Sequence, residues 1–225
     1  YSEMGTNEDA KPGAAVARKG RGSGSRPAAR YLVTGRSASR DAESPGADLE
    51  PVRTTVTWER ARSLITRNCS PDLPFAQTVN PYRGCEHGCA YCYARPTHAY
   101  LDLSPGLDFE TRLIAKADAA RVLARELAAP GYRCSPIVLG ANTDAYQPIE
   151  RELRVTREVL EVLASARHPV SIITKSALVE RDIDLLRELA RVGAAQVFLS
   201  ITTLDAALAR RLEPRAVAPR RRIAT

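Results

Sequence analysis

The chain has 225 residues, 44% of them hydrophobic but only 5% aromatic, so it can bury a core of its own, packed mainly by aliphatic residues and alanine. It has no apolar run near the ~18 residues of a membrane span and no secretory apolar stretch near its start, so a soluble, cytoplasmic protein without a membrane partner is expected. The net charge of +7 sits in two blocks. Residues 11–40 carry Lys11, Arg18, Lys19, Arg21, Arg26, Arg30, Arg36 and Arg40 with no acid, and Arg210, Arg211, Arg215, Arg220, Arg221 and Arg222 face Glu213 alone near the other end. Such blocks can neutralise phosphates, which makes nucleic acid a candidate partner; a solvated tail and helix surface is the plainer account.

Residues 1–50 are rich in Gly, Ser, Ala, Pro and Arg without periodicity and read as a disordered basic tail. Val52–Val56 alternates weakly as an edge strand, and 51–75 as a whole reads as irregular lead-in. From Ala76 the pattern becomes regular. Gln77–Asn80 is a short strand stopped by Pro81, Phe109–Lys116 an extra strand or arm, and Asp118 the cap of a helix through Ala128. Ile137–Gly140 reads as a buried strand, and Glu150–Arg167 as a helix with Leu153, Thr156, Leu160 and Leu163 on one face. Val170–Thr174 is the next strand. Glu180–Val192 is the next helix, with Ile183, Leu186 and Ala190 inward; Gln196–Ile201 and Leu204–Leu212 follow as strand and helix, and Arg220–Thr225 starts another helix. This alternation predicts an α/β protein with right-handed βαβ units and a parallel sheet over 76–225. About four units are begun, and the first residue is Tyr, so a fragment of a longer protein, or the inactive remnant of one, is expected.

Three of the five cysteines, Cys85, Cys89 and Cys92, fall in the run Asn80-Pro-Tyr-Arg-Gly-Cys85-Glu-His-Gly-Cys89-Ala-Tyr-Cys92-Tyr93. An odd total so clustered argues for metal binding in a reducing compartment, not for disulfides. Three thiolates can hold an iron–sulfur cluster and leave one of four irons open to a small molecule. The rival is a zinc-stabilised nucleic-acid-binding module with His87, Cys69 or Cys134 as fourth ligand, but no second Cys/His couple is present. Cys69 and Cys134 otherwise read as free thiols. His87 reads as a loop residue facing solvent or cluster sulfur, His98 as a helix-end residue and His168 as exposed.

The C-x-x-x-C-x-x-C spacing with Tyr91 before the third cysteine resembles the radical S-adenosylmethionine (SAM) superfamily. The longer string from Asn80 to His98 is similar to its spore photoproduct lyase-like branch, over roughly residues 55–225. The resemblance implies a partial (β/α) TIM-like barrel. It implies a 4Fe–4S cluster on Cys85, Cys89 and Cys92, with the amino and carboxylate groups of SAM on the fourth iron. An electron passed to the sulfonium would then break the C5′–S bond and release a 5′-deoxyadenosyl radical to abstract hydrogen from a substrate. A reductant such as flavodoxin or ferredoxin is the implied partner.

The resemblance also implies SAM contacts at strand ends: Asn142, Thr143 and Asp144 for the amino group, Lys175 for a carboxylate, Ser200 and Thr202 for ribose and methionine groups, and Tyr91 near adenine. Tyr93 matches a tyrosine proposed to relay hydrogen atoms. Each has an ordinary alternative in turn chemistry, strand-end hydroxyls or loop packing. The alternative the resemblance offers is a DNA photoproduct lyase-like repair enzyme, supported by the basic segments and weakened because the lyase's hydrogen-donor cysteine aligns with Ala141.

Overall fold

The computed structural model describes residues 20–25, 27 and 52–225. The elements run β1 (Thr55–Arg60), β2 (Ile65–Arg67), β3 (Gln77–Val79), β4 (Tyr82–Arg83), α1 (Asp108–Thr111), β5 (Arg112–Ala117), α2 (Ala119–Leu127), β6 (Ile137–Leu139), α3 (Glu150–Leu153), α4 (Val155–Ser165), β7 (Val170–Thr174), α5 (Ile183–Ala190), β8 (Ala195–Leu199), α6 (Ala206–Leu212) and α7 (Pro219–Ala224). Two 3₁₀ segments, Arg95–Leu101 and Ala177–Asp182, complete the list.

A five-stranded sheet of order β2-β3-β6-β7-β8 forms the frame, parallel except for β2. β3, β6 and β7 are short and buried (Val79, Ile137, Leu139, Val170, Ile172), and α2, α4 and α5 bring Val122, Leu123, Val159, Leu160, Leu163 and Leu189 against them. This is the mixed α/β fold with successive parallel βα units expected from the alternation. A second sheet, β1-β5-β4, pairs β1 and β5 in parallel and closes on Tyr82–Arg83 just before the cysteines.

Several local expectations are corrected. The edge strand lies at Thr55–Arg60 and not at Val52–Val56, and the lead-in holds β2 besides. Phe109–Lys116 is not one strand: α1 turns Phe109 and Glu110 inward before β5 begins at Arg112. Asp118 adopts φ 57° and caps nothing with its side chain; its carboxylate pairs with Arg121 at 2.9 Å. The helix expected at Glu150–Arg167 breaks at Arg154 (φ 56°), because the Glu150 carboxylate accepts hydrogen bonds from the backbone N–H of Thr156 (2.9 Å) and Arg157 (3.3 Å) and so starts α4 afresh. In α5 the inward face is Leu185, Leu186 and Leu189, while Ile183 and Ala190 are exposed, since the 3₁₀ segment capped by Ser176 resets the helical phase. Among the described residues β8 pairs only with β7, and Val197 and Phe198 are exposed.

The tail expectation for residues 1–50 falls mostly outside the described residues. Where Gly20–Ser25 are described, they lie hydrogen-bonded against the protein.

Gly140 ends β6 at φ 85°, and a Cβ there would lie 2.2 Å from the Ile173 carbonyl oxygen of β7. Gly140→Ala should therefore cost about 1–3 kcal/mol in urea unfolding, from backbone conformation and overlap together. A midpoint equal to that of the parent chain would contradict the close packing of β6 on β7.

Candidate active site at the cysteine loop

The loop is fastened from below by the protein itself. Tyr82 is fully buried, with its hydroxyl on Glu150, and Cys85 N–H donates to Phe109 O at 2.9 Å. Gln147, also buried, accepts from Glu86 N–H (2.8 Å) and donates to Gly84 O (3.1 Å), holding the backbone on both sides of Cys85. Asn80 Oδ1 accepts from the backbone N–H groups of Asn142 and Thr143, tying the end of β3 to the end of β6. No sequence signal singled out Gln147 or Asn80.

All five cysteines are free; Cys69 and Cys134 are exposed, far from the partly buried group Cys85, Cys89 and Cys92 in sequence and setting. Cys85 and Cys92 pack with Ala94 and Phe109. Burial pushes the Cys85 thiol well up, and the neighbouring Asp144 adds to this. Cys89 is pushed up to about 11, burial again leading, with Lys175 pulling the other way. Uncomplexed, these thiols stay protonated near neutral pH, so a metal would have to displace their protons.

Among the described residues no group of three His, Cys, Asp or Glu side chains is arranged to hold a metal ion. A zinc knuckle needs its donors about 2.0–2.3 Å from one point. In a cluster each thiolate binds its own iron, so the thiols stand further apart. The donor chemistry, three thiols within eight residues of one loop, fits that second case, while the carboxylate and imidazole between them are engaged elsewhere, Glu86 with Thr54 and Arg215 and His87 with Asp144.

The strand ends bring several expected contacts to this loop. The Tyr91 hydroxyl sits 2.9 Å from Thr202 Oγ1 and also donates to Glu213, while Lys175 Nζ lies 5.9 Å from the Tyr91 ring centroid. Tyr93 is exposed, and its hydroxyl donates to Ala141 O. Asn142 and Ser200 are partly exposed beside them.

Thr143 and Asp144 are differently placed. The Thr143 hydroxyl is buried and donates to Tyr82 O at 2.9 Å. The Asp144 carboxylate accepts from Thr174 Oγ1 (2.7 Å), Lys175 N–H (2.8 Å) and Tyr146 N–H (2.9 Å), and faces His87 Nδ1 at 3.2 Å. Burial raises its pKa, but His87 and these donors prevail and hold the carboxyl at about 2. Both side chains brace the site.

Of the histidine expectations, a solvent-facing His87 and an exposed His168 are corrected, while His98 does lie in the last turn of a helix. His87 is buried against Asp144 and not turned to solvent. His98 is fully buried in the 3₁₀ segment on Arg112 O, and burial lowers its pKa. His168 is buried between Tyr132 and Pro169 O.

The basic block near the end of the chain is thinned by internal pairing. Arg222 is buried on Glu213, Arg221 pairs with Glu180 at 2.5 Å, and Arg215 with Glu86 at 3.2 Å. Arg210, Arg211 and Arg220 remain exposed.

A family model for the radical SAM superfamily matches residues 79–225, from the end of β3 through all three cysteines to α7. The chain belongs to the radical SAM superfamily. It is 43% identical over 152 residues to uncharacterized proteins of Mycobacterium bovis and Mycobacterium tuberculosis, covering 68% of this chain and 45% of theirs. It is 29% identical over 136 residues to an uncharacterized protein of Methanocaldococcus jannaschii, covering 60% of this chain and 48% of that one. The chain thus spans about half the length of these curated relatives. Its fold is similar to that of a substituted spore photoproduct lyase with bound AdoMet and dinucleoside spore photoproduct, with a TM-score of 0.51, 18% identity, and coverage of 75% of this chain and 46% of that one. The match supports a partial radical SAM β/α fold. No helix among the described residues is long and apolar enough to cross a membrane.

Proposed function

We propose that this chain carries the cluster- and SAM-binding part of a radical SAM enzyme. Supporting it, Tyr93 and Tyr91 of the three-thiol loop reach three successive strand ends: Ala141 after β6, Lys175 after β7 and Thr202 after β8. Cys85, Cys89 and Cys92 would hold a 4Fe–4S cluster. Bound there, the cluster would supply the electron that cleaves SAM to a 5′-deoxyadenosyl radical.

The chain's own residues divide the remaining work. Lys175 offers an ammonium to the SAM carboxylate, and Asn142 an amide to its polar end. Tyr91, oriented by Thr202 and Glu213, gives the adenine a wall. Ser200 and Thr202 offer hydroxyls. Thr143 and Asp144 act through their neighbours, with Asp144 fixing the backbone N–H of Lys175. Tyr93, on the carbonyl of Ala141, is the candidate hydrogen relay. A flavodoxin- or ferredoxin-like reductant in the cytoplasm suits five free thiols.

Anaerobically reconstituted, reduced protein mixed with SAM should release 5′-deoxyadenosine. Protein that holds about four irons and releases none would reject the reading. A lyase acting on nucleic acid remains part of the proposal through Arg210, Arg211 and Arg220. In a gel shift, affinity unmoved by salt would remove it.

A further inference from the structure

We infer that Gly20–Ser25 is a strap that holds the cysteine loop in its ligand-binding shape, working through the buried carboxylate of Glu110. The inference deepens the cluster reading above and rests on it.

Glu110 is fully buried and joins two sets of donors. On one side Arg95 Nη2 reaches Glu110 Oε1 at 2.6 Å. The same guanidinium donates Nε (3.2 Å) and Nη2 (2.9 Å) to Cys89 O and Nη1 to Gly106 O (3.1 Å), while lying 5.5 Å from the Phe109 ring centroid. On the other side Gly22 N–H donates to Glu110 Oε2 at 2.9 Å. Arg21 Nη1 donates to Glu110 O (2.9 Å), and its Nη2 to Val52 O (2.7 Å) and Thr54 Oγ1 (3.0 Å). Thr54 in turn donates to Glu86 Oε1 at 2.5 Å, beside Cys85. Further along, Ser25 O accepts from Leu107 N–H at 2.9 Å.

The fit is steric as well as polar. A Cβ on Gly22 would lie 1.6 Å from Gly88 O, inside the cysteine loop, and one on Gly88 would lie 2.7 Å from Glu110 Oε2. Backbone therefore lies directly on backbone between Cys85 and Cys89. Outer partners of this kind fix the orientation of the ligating groups, and their loss typically weakens metal binding about 10–100-fold. Arg21, Gly22, Glu110 and Arg95 are positioning residues; none touches a thiol.

The test compares the parent chain with Gly22→Ala, Arg21→Ala and Arg21→Lys in two measurements. After reconstitution, iron loss to a chelator should be about tenfold faster in Gly22→Ala and Arg21→Ala, with Arg21→Lys in between. In metal-free protein, alkylation of Cys89 read by mass spectrometry should speed up in the same order, while Cys69 and Cys134 react unchanged. Equal rates in all four proteins would overturn the strap. If the parent chain takes up no iron, the cluster reading fails, and the Cys89 alkylation series still decides whether the segment holds the loop. A variant that shows no cooperative melt is set aside, and the remaining pair decides.

Discussion

Cys89→Ser protein is expected to leave anaerobic reconstitution nearly colourless, with iron and 5′-deoxyadenosine release each reduced by at least ~100-fold, beyond the loss typical of an outer partner. Serine keeps the volume of the side chain and its place in a loop whose backbone is held by Arg95, Gln147 and Phe109, so the fold should survive. What disappears is a soft ligand, since an alkoxide is a poor substitute for thiolate on iron. Cys85→Ser and Cys92→Ser should behave alike, whereas Cys69→Ser and Cys134→Ser, exposed and outside the loop sequence, should retain full iron. Retention of iron by Cys89→Ser, or its loss in Cys134→Ser, would assign the ligands wrongly.

Arg222→Met should lower stability by about 3–5 kcal/mol, since it leaves the Glu213 carboxylate buried without its counter-ion. The guanidinium also donates to Ser200 O (2.9 Å) and Val217 O (2.7 Å), so it fastens α7 to the end of β8. Burial disfavours the Glu213 anion, but hydrogen bonds from Tyr91, Thr202 and Arg222 prevail and hold its pKa below the ordinary value. A depressed folded-state pKa means that this stability is present above the unfolded-state pKa and lost as pH falls through the folded one. The acid side of the stability profile should therefore flatten in Arg222→Met. The double variant Glu213→Leu/Arg222→Met removes both charges and should recover much of the loss in denaturant titration. It would still strip Tyr91 of an anchor, so SAM affinity should stay weak in the double variant even though folding is restored. Recovery of both together would separate Glu213 from the site.

The candidate ligands and the frame were legible from local pattern. Cys85, Cys89 and Cys92 lie within eight residues, and β6, β7 and β8 are short, largely apolar runs bounded by Gly, Pro or polar turns. Lys175 and Thr202 could be proposed because they follow strand ends of a parallel sheet, and Tyr91 through the family resemblance. What stayed hidden depends mainly on contacts between distant segments. Nothing near Gln147 or Glu110 in sequence shows that each reaches the cysteine loop. The break at Arg154 was masked by an apolar stripe that runs through it, although its cause is a local hydrogen bond that the Glu150 carboxylate accepts from Thr156 N–H. Arg222 read as one of a solvated basic run until α7 placed it on Glu213. Composition likewise made Gly20–Ser25 look like tail, although Gly22 there serves close approach to Gly88.

Pulsed electron–nuclear double resonance on the reduced, reconstituted chain, with SAM labelled at its amino nitrogen and carboxylate oxygen, asks directly whether the three-thiol loop leaves an iron for SAM. Hyperfine coupling from both labels, lost in the Cys89→Ser protein, is the predicted result. A fully loaded cluster whose spectrum is unchanged by saturating SAM would contradict the account.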